Sequence, residues 1–187
     1  MRKIRWMPAA TLLILSLAGC SFQAALDKLV PRERQAELVS VGQRFCTDPE
    51  SVTPALHPGV VRSVKDAVPL LPRECPGAGA TWELASYQWN GNITNGLKQR
   101  QEEVVVVGTG RDKWTTVSLR FYAENDAPLK VVAWNIVGSK TKPAALTFVE
   151  NYDKTAGTMR IVIPVLLLVI AALAGWLVWR WRRKRAA

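Results

Sequence analysis

Hydrophobic residues are spaced in four different ways along this chain, and each spacing predicts a different kind of element. A short apolar run at 6–17 follows the cations Arg2, Lys3 and Arg5. From Pro31 to Val68 the apolar positions recur every three or four residues, as Leu38, Val41 and Phe45 and then as Val60, Val61, Val64, Ala67 and Val68, which predicts short amphipathic helices. Pro31 suits a helix start, Asp48-Pro49 reads as an N-cap with proline in the first turn of a short helix to about Leu56, and His57-Pro58-Gly59 breaks it. From Thr81 the period drops to two. Strands are predicted at 82–89, 97–109, 114–123 and 129–137, with turn signals at Asn90-Gly91, Asn95-Gly96, Gly108 to Asp112 and Asn125 to Pro128. Val117, Leu119 and Phe121 share one face of the third strand, and Val132, Trp134 and Ile136 alternate in the fourth. After Gly138 the pattern loosens, with one short element at 144–151 and a linker through Thr158. Residues 161–179 are then apolar without interruption and carry no charge.

Helices followed by an antiparallel meander predict an α+β class, with N-terminal helices packed on a curved four-stranded antiparallel sheet and one C-terminal transmembrane helix after it. The layout is a signal segment at 1–19, a tether at 20–30, a folded domain at 31–140, a linker at 141–160, a span at 161–179 and a basic tail at 180–187. Nineteen residues at ~1.5 Å each extend roughly 28 Å, close to the hydrocarbon thickness of a bilayer. Arg180, Arg182, Arg183, Lys184 and Arg185 follow at once, and no comparable cluster precedes the span, so the positive-inside bias directs the C-terminus to the cytoplasm.

The formal charge of +10 suggests nucleic acid, but its distribution does not. Removing the three cations before the first apolar run and the five after the last leaves +2 for residues 20–179. The basicity marks topology, and no nucleic-acid partner is expected. Ala171 and Gly175 form a small-x-x-x-small pair inside the span, a possible face for helix packing against another membrane protein.

At the other end, Leu17-Ala18-Gly19-Cys20 closes the first apolar run and resembles the bacterial lipobox, the signal cut before its cysteine by the lipoprotein signal peptidase. The resemblance covers about twenty residues. It implies cleavage between Gly19 and Cys20, acylation of the Cys20 sulfur by diacylglycerol and of its freed amine by a further chain such as palmitate. Several acyl chains at ~0.8 kcal/mol per buried CH₂ form a stable anchor. With the C-terminal span fixed in the inner membrane, both anchors belong to one bilayer and the middle of the chain is periplasmic. The two flanking segments reach ~40 Å each at ~3.5 Å per residue, and a domain of this size adds only ~30 Å, too little to connect opposite membranes.

Cys46 and Cys75 then lie on the oxidising side, where a disulfide is the expected state. A redox-active pair, the alternative, usually needs the sulfurs close in sequence. His57 stands alone in a helix-breaking loop, which favours a solvated role over a metal site or triad. Asp66 and Glu74 read as surface charges. Glu102 and Glu103 are adjacent on a strand, face opposite sides and cannot work as a carboxylate pair. Trp82, Trp89, Trp114 and Trp134 are expected in core and cross-strand packing, with one or two left to line a pocket or partner groove. No cofactor or metal is expected. The order of elements over 31–140, with the final strand Lys130 to Val137, is similar to nuclear-transport-factor-two-like and cystatin-like folds, which either enclose an apolar pocket or serve as interaction modules. These features lead to the expectation of a non-enzymatic accessory or scaffold subunit of a membrane assembly, with a periplasmic module for an apolar or lipid-like ligand as the alternative.

The lipobox reading is checked by mass spectrometry of the N-terminal peptide from envelope preparations. It should begin at Cys20 and carry a diacylglyceryl mass, and C20S should leave the uncleaved precursor.

Overall fold

The computed structural model describes residues 21–185, so Gly19, Cys20 and the rest of the signal-like segment lie outside the described residues. Residues Leu26–Val149 form one compact unit; the described residues up to Ala25 and from Glu150 onward form another.

The larger unit is α+β. Its helical part contains the end of α1 (Phe22–Leu29), α2 (Arg32–Thr47), a 3₁₀ turn at Pro49–Ala55, α3 (Pro58–Ala67) and the single turn α4 (Leu71–Glu74). Four strands follow, β1 (Thr81–Thr94), β2 (Leu97–Thr109), β3 (Trp114–Glu124) and β4 (Lys130–Ser139), all antiparallel and in the order of the chain. Asp48 caps the 3₁₀ turn by accepting from the Ser51 N–H, and Pro31 precedes α2 as its spacing predicts. The segment expected as a tether, whose residues 24–30 have amphipathic helical spacing, is helical, and its end belongs to the core: Leu26 and Val30 are buried.

Leu38, Val41 and Phe45 bury one face of α2 against the sheet, where Val104, Val106, Val117, Leu119 and Phe121 face them. Gly42 allows the approach: a Cβ there would stand 2.9 Å from Val106 Cβ. Phe45 stacks on Trp134, with centroids 5.7 Å apart, and the indole Nε1 donates to Ser63 Oγ at 3.1 Å. Trp82 lies across Gly108, which sits inside β2 and not in the turn. The opposite sheet face has a smaller cluster of Ala85, Val107 and Leu146, with Trp114 and Ala145 beside it.

Three local expectations change. β1 runs straight through Asn90-Gly91, and the chain reverses only at Asn95-Gly96, where φ is +52° and +81°, the left-handed pair of a type I′ hairpin. In β4 a register shift makes Val132 the extra residue, so Val131 turns inward and is buried while Val132 does not. The expected linker is helix. α5 runs from Ala144 to Arg185 without a break, and Thr155 and Thr158 hydroxyls donate back to the carbonyls of Asn151 and Lys154. Helical turns on both sides remove the nucleation cost that would otherwise leave this polar stretch unstructured.

Cys46, at the end of α2, and Cys75, just after α4, are disulfide-bonded across 29 residues. Closing a loop of that length restricts the unfolded chain and contributes about 3–4 kcal/mol. The C46A/C75A double variant should lose about that much unfolding free energy in a urea titration, and reductant should leave the variant's midpoint unmoved.

Candidate functional site

Alternation along β2 turns Glu102 toward the helices and Glu103 away from them, as their adjacency predicts. Glu103 stays partly exposed and accepts from Arg120 at 2.9 Å and from Gln101 at 3.0 Å. Glu102 is completely buried, and charged residues close around it. Arg34, in the first turns of α2, donates through Nη2 to Glu102 Oε2 at 2.7 Å, and Arg100 donates to Oε1 from the same strand. Arg34 also reaches Glu37 at 2.7 Å and lies 5.2 Å from the centroid of the Phe121 ring. Its Nε is buried with no hydrogen-bond partner among the described residues.

Burial alone would push the Glu102 carboxyl up. The hydrogen bonds and charges of Arg34 and then Arg100 outweigh it and hold the group below the ordinary carboxylate range. Tyr87 sits beside the cluster, and its phenol is pushed up first by burial and then by the Glu102 carboxylate. A carboxylate with both oxygens engaged and a depressed pKa is poorly poised to take up a proton near neutrality; its chemistry here is positional. It fixes α2 to the sheet and orients Arg100.

Next to this cluster a groove of about 400 Å³ is lined by Leu29, Tyr87, Trp89, Gly91 and Arg100. Trp89 is 63 % exposed, and Leu29 is also open to solvent. Of the four tryptophans in the domain, Trp82, Trp114 and Trp134 are half-buried, against Gly108, the Ala85–Val107–Leu146 cluster and Phe45 respectively, while Trp89 is exposed and lines this groove.

The remaining predicted positions are scattered. His57 is exposed and caps α3, its Nδ1 accepting from the Gly59 N–H at 3.2 Å. Asp66 is an exposed partner of Arg62. Glu74 is no free surface charge: its carboxylate accepts from the Gly138 N–H at 2.7 Å and its carbonyl accepts from the Thr115 hydroxyl at 2.6 Å. Among the described residues no cluster of His, Cys, Asp and Glu is arranged to hold a metal.

In the smaller unit, one helix is long and apolar enough to cross a membrane, and Ala171 and Gly175 lie open on it. At its basic end, the Arg180 guanidinium stands over Trp176 at 5.3 Å and that of Arg183 over Trp179 at 4.2 Å. The start of α1 meets α5 ahead of the apolar segment. The Phe22 N–H donates to Asp153 Oδ1 at 2.6 Å, and the Phe22 ring meets Tyr152 edge-on at 6.2 Å.

No protein family, curated protein or solved structure matches this chain.

The Arg34–Glu102–Arg100 cluster went unread in the sequence because charges on a strand with a polar outer half look solvated; only the contact with α2, far away in the chain, makes Glu102 internal. E102Q should cost about 3 kcal/mol, because it leaves two guanidiniums facing a neutral amide. R100A, which removes the half-exposed partner, should cost about 1 kcal/mol or less. A native pKa below the unfolded value of about 4.3 gives stability that is fully present above that pH and lost as pH falls through the native value. The difference between the thermal melts of wild type and E102Q should therefore be constant above about pH 4.3 and shrink as pH falls below it through the native value.

Proposed function

We propose that this chain is a doubly anchored inner-membrane lipoprotein whose Leu26–Val149 unit is periplasmic and acts as a non-enzymatic accessory or scaffold subunit of a membrane assembly. The observation that carries the reading is the contact of Phe22 with Tyr152 and Asp153. Residue 22 is two residues from the cysteine of the lipobox-like signal, and Asp153 precedes Ile161 by eight residues, about 12 Å along a helix at 1.5 Å per residue. Acyl chains on Cys20 and the apolar half of α5 are thus suited to one bilayer. Two supports concern orientation. The arginines stacked on Trp176 and Trp179 join a basic cluster that favours the cytoplasmic side. The Cys46–Cys75 disulfide fits an oxidising compartment on the other.

An accessory role is supported by how the charged side chains are used. Glu102, Glu103 and Glu74 all serve as acceptors that hold elements together, and His57 caps a helix. The ligand-binding alternative rests on the groove beside Trp89.

Affinity purification of the tagged full-length chain from membranes in mild detergent, with mass spectrometry of proteins and small molecules, tests the reading. A stoichiometric membrane protein is the expected result, reduced when residues 161–179 are replaced by an unrelated apolar helix of equal length. A chain recovered alone with a bound apolar molecule would overturn it in favour of the groove.

A further inference from the structure

The two edges of the sheet are treated differently. β4 is covered: Leu56 bridges to Val131, the His57 N–H donates to the Val131 carbonyl at 2.9 Å, and the Gly138 N–H is taken by Glu74. β1 is the other edge, and among the described residues no backbone hydrogen bond from any element other than β2 reaches it between Tyr87 and Thr94.

The hairpin turn decides which groups are left over. In a two-residue hairpin the flanking pair, here Thr94 and Leu97, exchanges both its hydrogen bonds, so Thr94, Asn92, Asn90 and Gln88 spend their backbone groups on β2. Ile93, Gly91, Trp89 and Tyr87 therefore direct theirs outward. Edge strands are ordinarily guarded by charge, proline, a bulge or a cover. From Leu84 to Thr94 this strand has no charged residue and no proline, and its bulge lies at the far end, at Ala85. Two large apolar side chains on the unguarded part are exposed, Trp89 and Ile93 at 70 %.

We propose that this edge pairs with the same edge of a second copy of the chain, antiparallel about a twofold axis at Asn90, to make one continuous sheet across the dimer. The strand is complementary to itself in that register. Trp89 of each copy comes opposite Gly91 of the other; each Gly91 already lies under its own chain's Trp89 ring, 3.2 Å from where a Cβ would stand, so the two indoles meet over the pair of glycines, and Tyr87 comes opposite Ile93. On the other face Gln88 meets Asn92 and the two Asn90 amides meet each other. Outward groups meet outward groups, and no like charges are opposed. Sliding by two residues one way drives Ile93 into the bulge at Ala85; sliding the other way opposes two glycines and carries Tyr87 onto the Asn95 turn. An isologous contact of this kind closes at two copies.

A strand pair this short falls below the ~800 Å² per partner of a stable soluble dimer. The contact draws on two chains being held in one bilayer, and to that extent it rests on the membrane reading of α5. Carbonate extraction of the same membranes reports on anchoring separately.

The test is disulfide trapping of the full-length chain in membranes. Asn90 opposite Asn90 is a non-hydrogen-bonded pair with Cα atoms ~4.5 Å apart, within disulfide range. Under mild oxidant N90C should form dimer at least tenfold faster than D112C, an exposed control in the β2–β3 turn, and faster than the chain with no added cysteine. Adding I93K should bring N90C down to the control rate. So should G91P, which removes an outward N–H that the monomer does not use. Dimer formation by N90C no faster than by D112C, or trapping indifferent to both I93K and G91P, would overturn the proposal.

Discussion

Helix α2 is held against the centre of the sheet at three points by three different kinds of force, and the larger unit depends on that contact. Near its start Arg34 is drawn to buried Glu102. In the middle Gly42 lets the backbone come down onto Val106. At its end Cys46 is covalently joined to Cys75. The first fixes the helix in direction, the second in height and the third in register. Phe45, between the second and third, fills the space so defined and gives Trp134 its stacking partner. A buried ion pair by itself is a poor source of net stability, because desolvation consumes most of the attraction. Its value here lies in selecting one docking of α2 among several that an apolar helix face would tolerate.

The same contact organises the exposed side of the molecule. Engaging Glu102 aligns Arg100 along β2, and Arg100 with Tyr87, Trp89 and Leu29 shapes the groove. β4 is closed by the helical layer that α2 anchors, through Leu56, His57 and Glu74. Among the described residues β1 receives no such backbone contact from outside the sheet.

Much of the fold was legible because it depends on local spacing. The apolar positions of α2, the Asp48 cap, the alternation of β3 and the apolar half of α5 are set by residues a few positions apart, and these agree with the structure. What was hidden depends on distant partners. Val131 replaces Val132 inside because a bulge shifts the phase of β4, and a bulge leaves no mark in an alternating pattern. Asn90-Gly91 is a sound turn signal overridden by the unbroken pairing of β1 with Gln99, Arg100 and Gln101. Residues 152–158 have a linker's composition, yet the helices on either side carry them. Glu74 reads as a surface charge, and Glu102 as no more than the opposite-facing neighbour of Glu103, because nothing near them in the chain announces Gly138 or Arg34.

The position of the disulfide also bears on the order of assembly. A chain that emerges N-terminus first has presented both Cys46 and Cys75 before any strand has appeared. If the unit is delivered to an oxidising compartment, as proposed above, the helical layer can be closed covalently while the rest is still arriving. The sheet that follows is a simple meander, each new strand lying beside the one before it. It can add strand by strand to a template already covalently closed, leaving β1, the first strand laid down, as the edge that waits longest for a neighbour on its outer side.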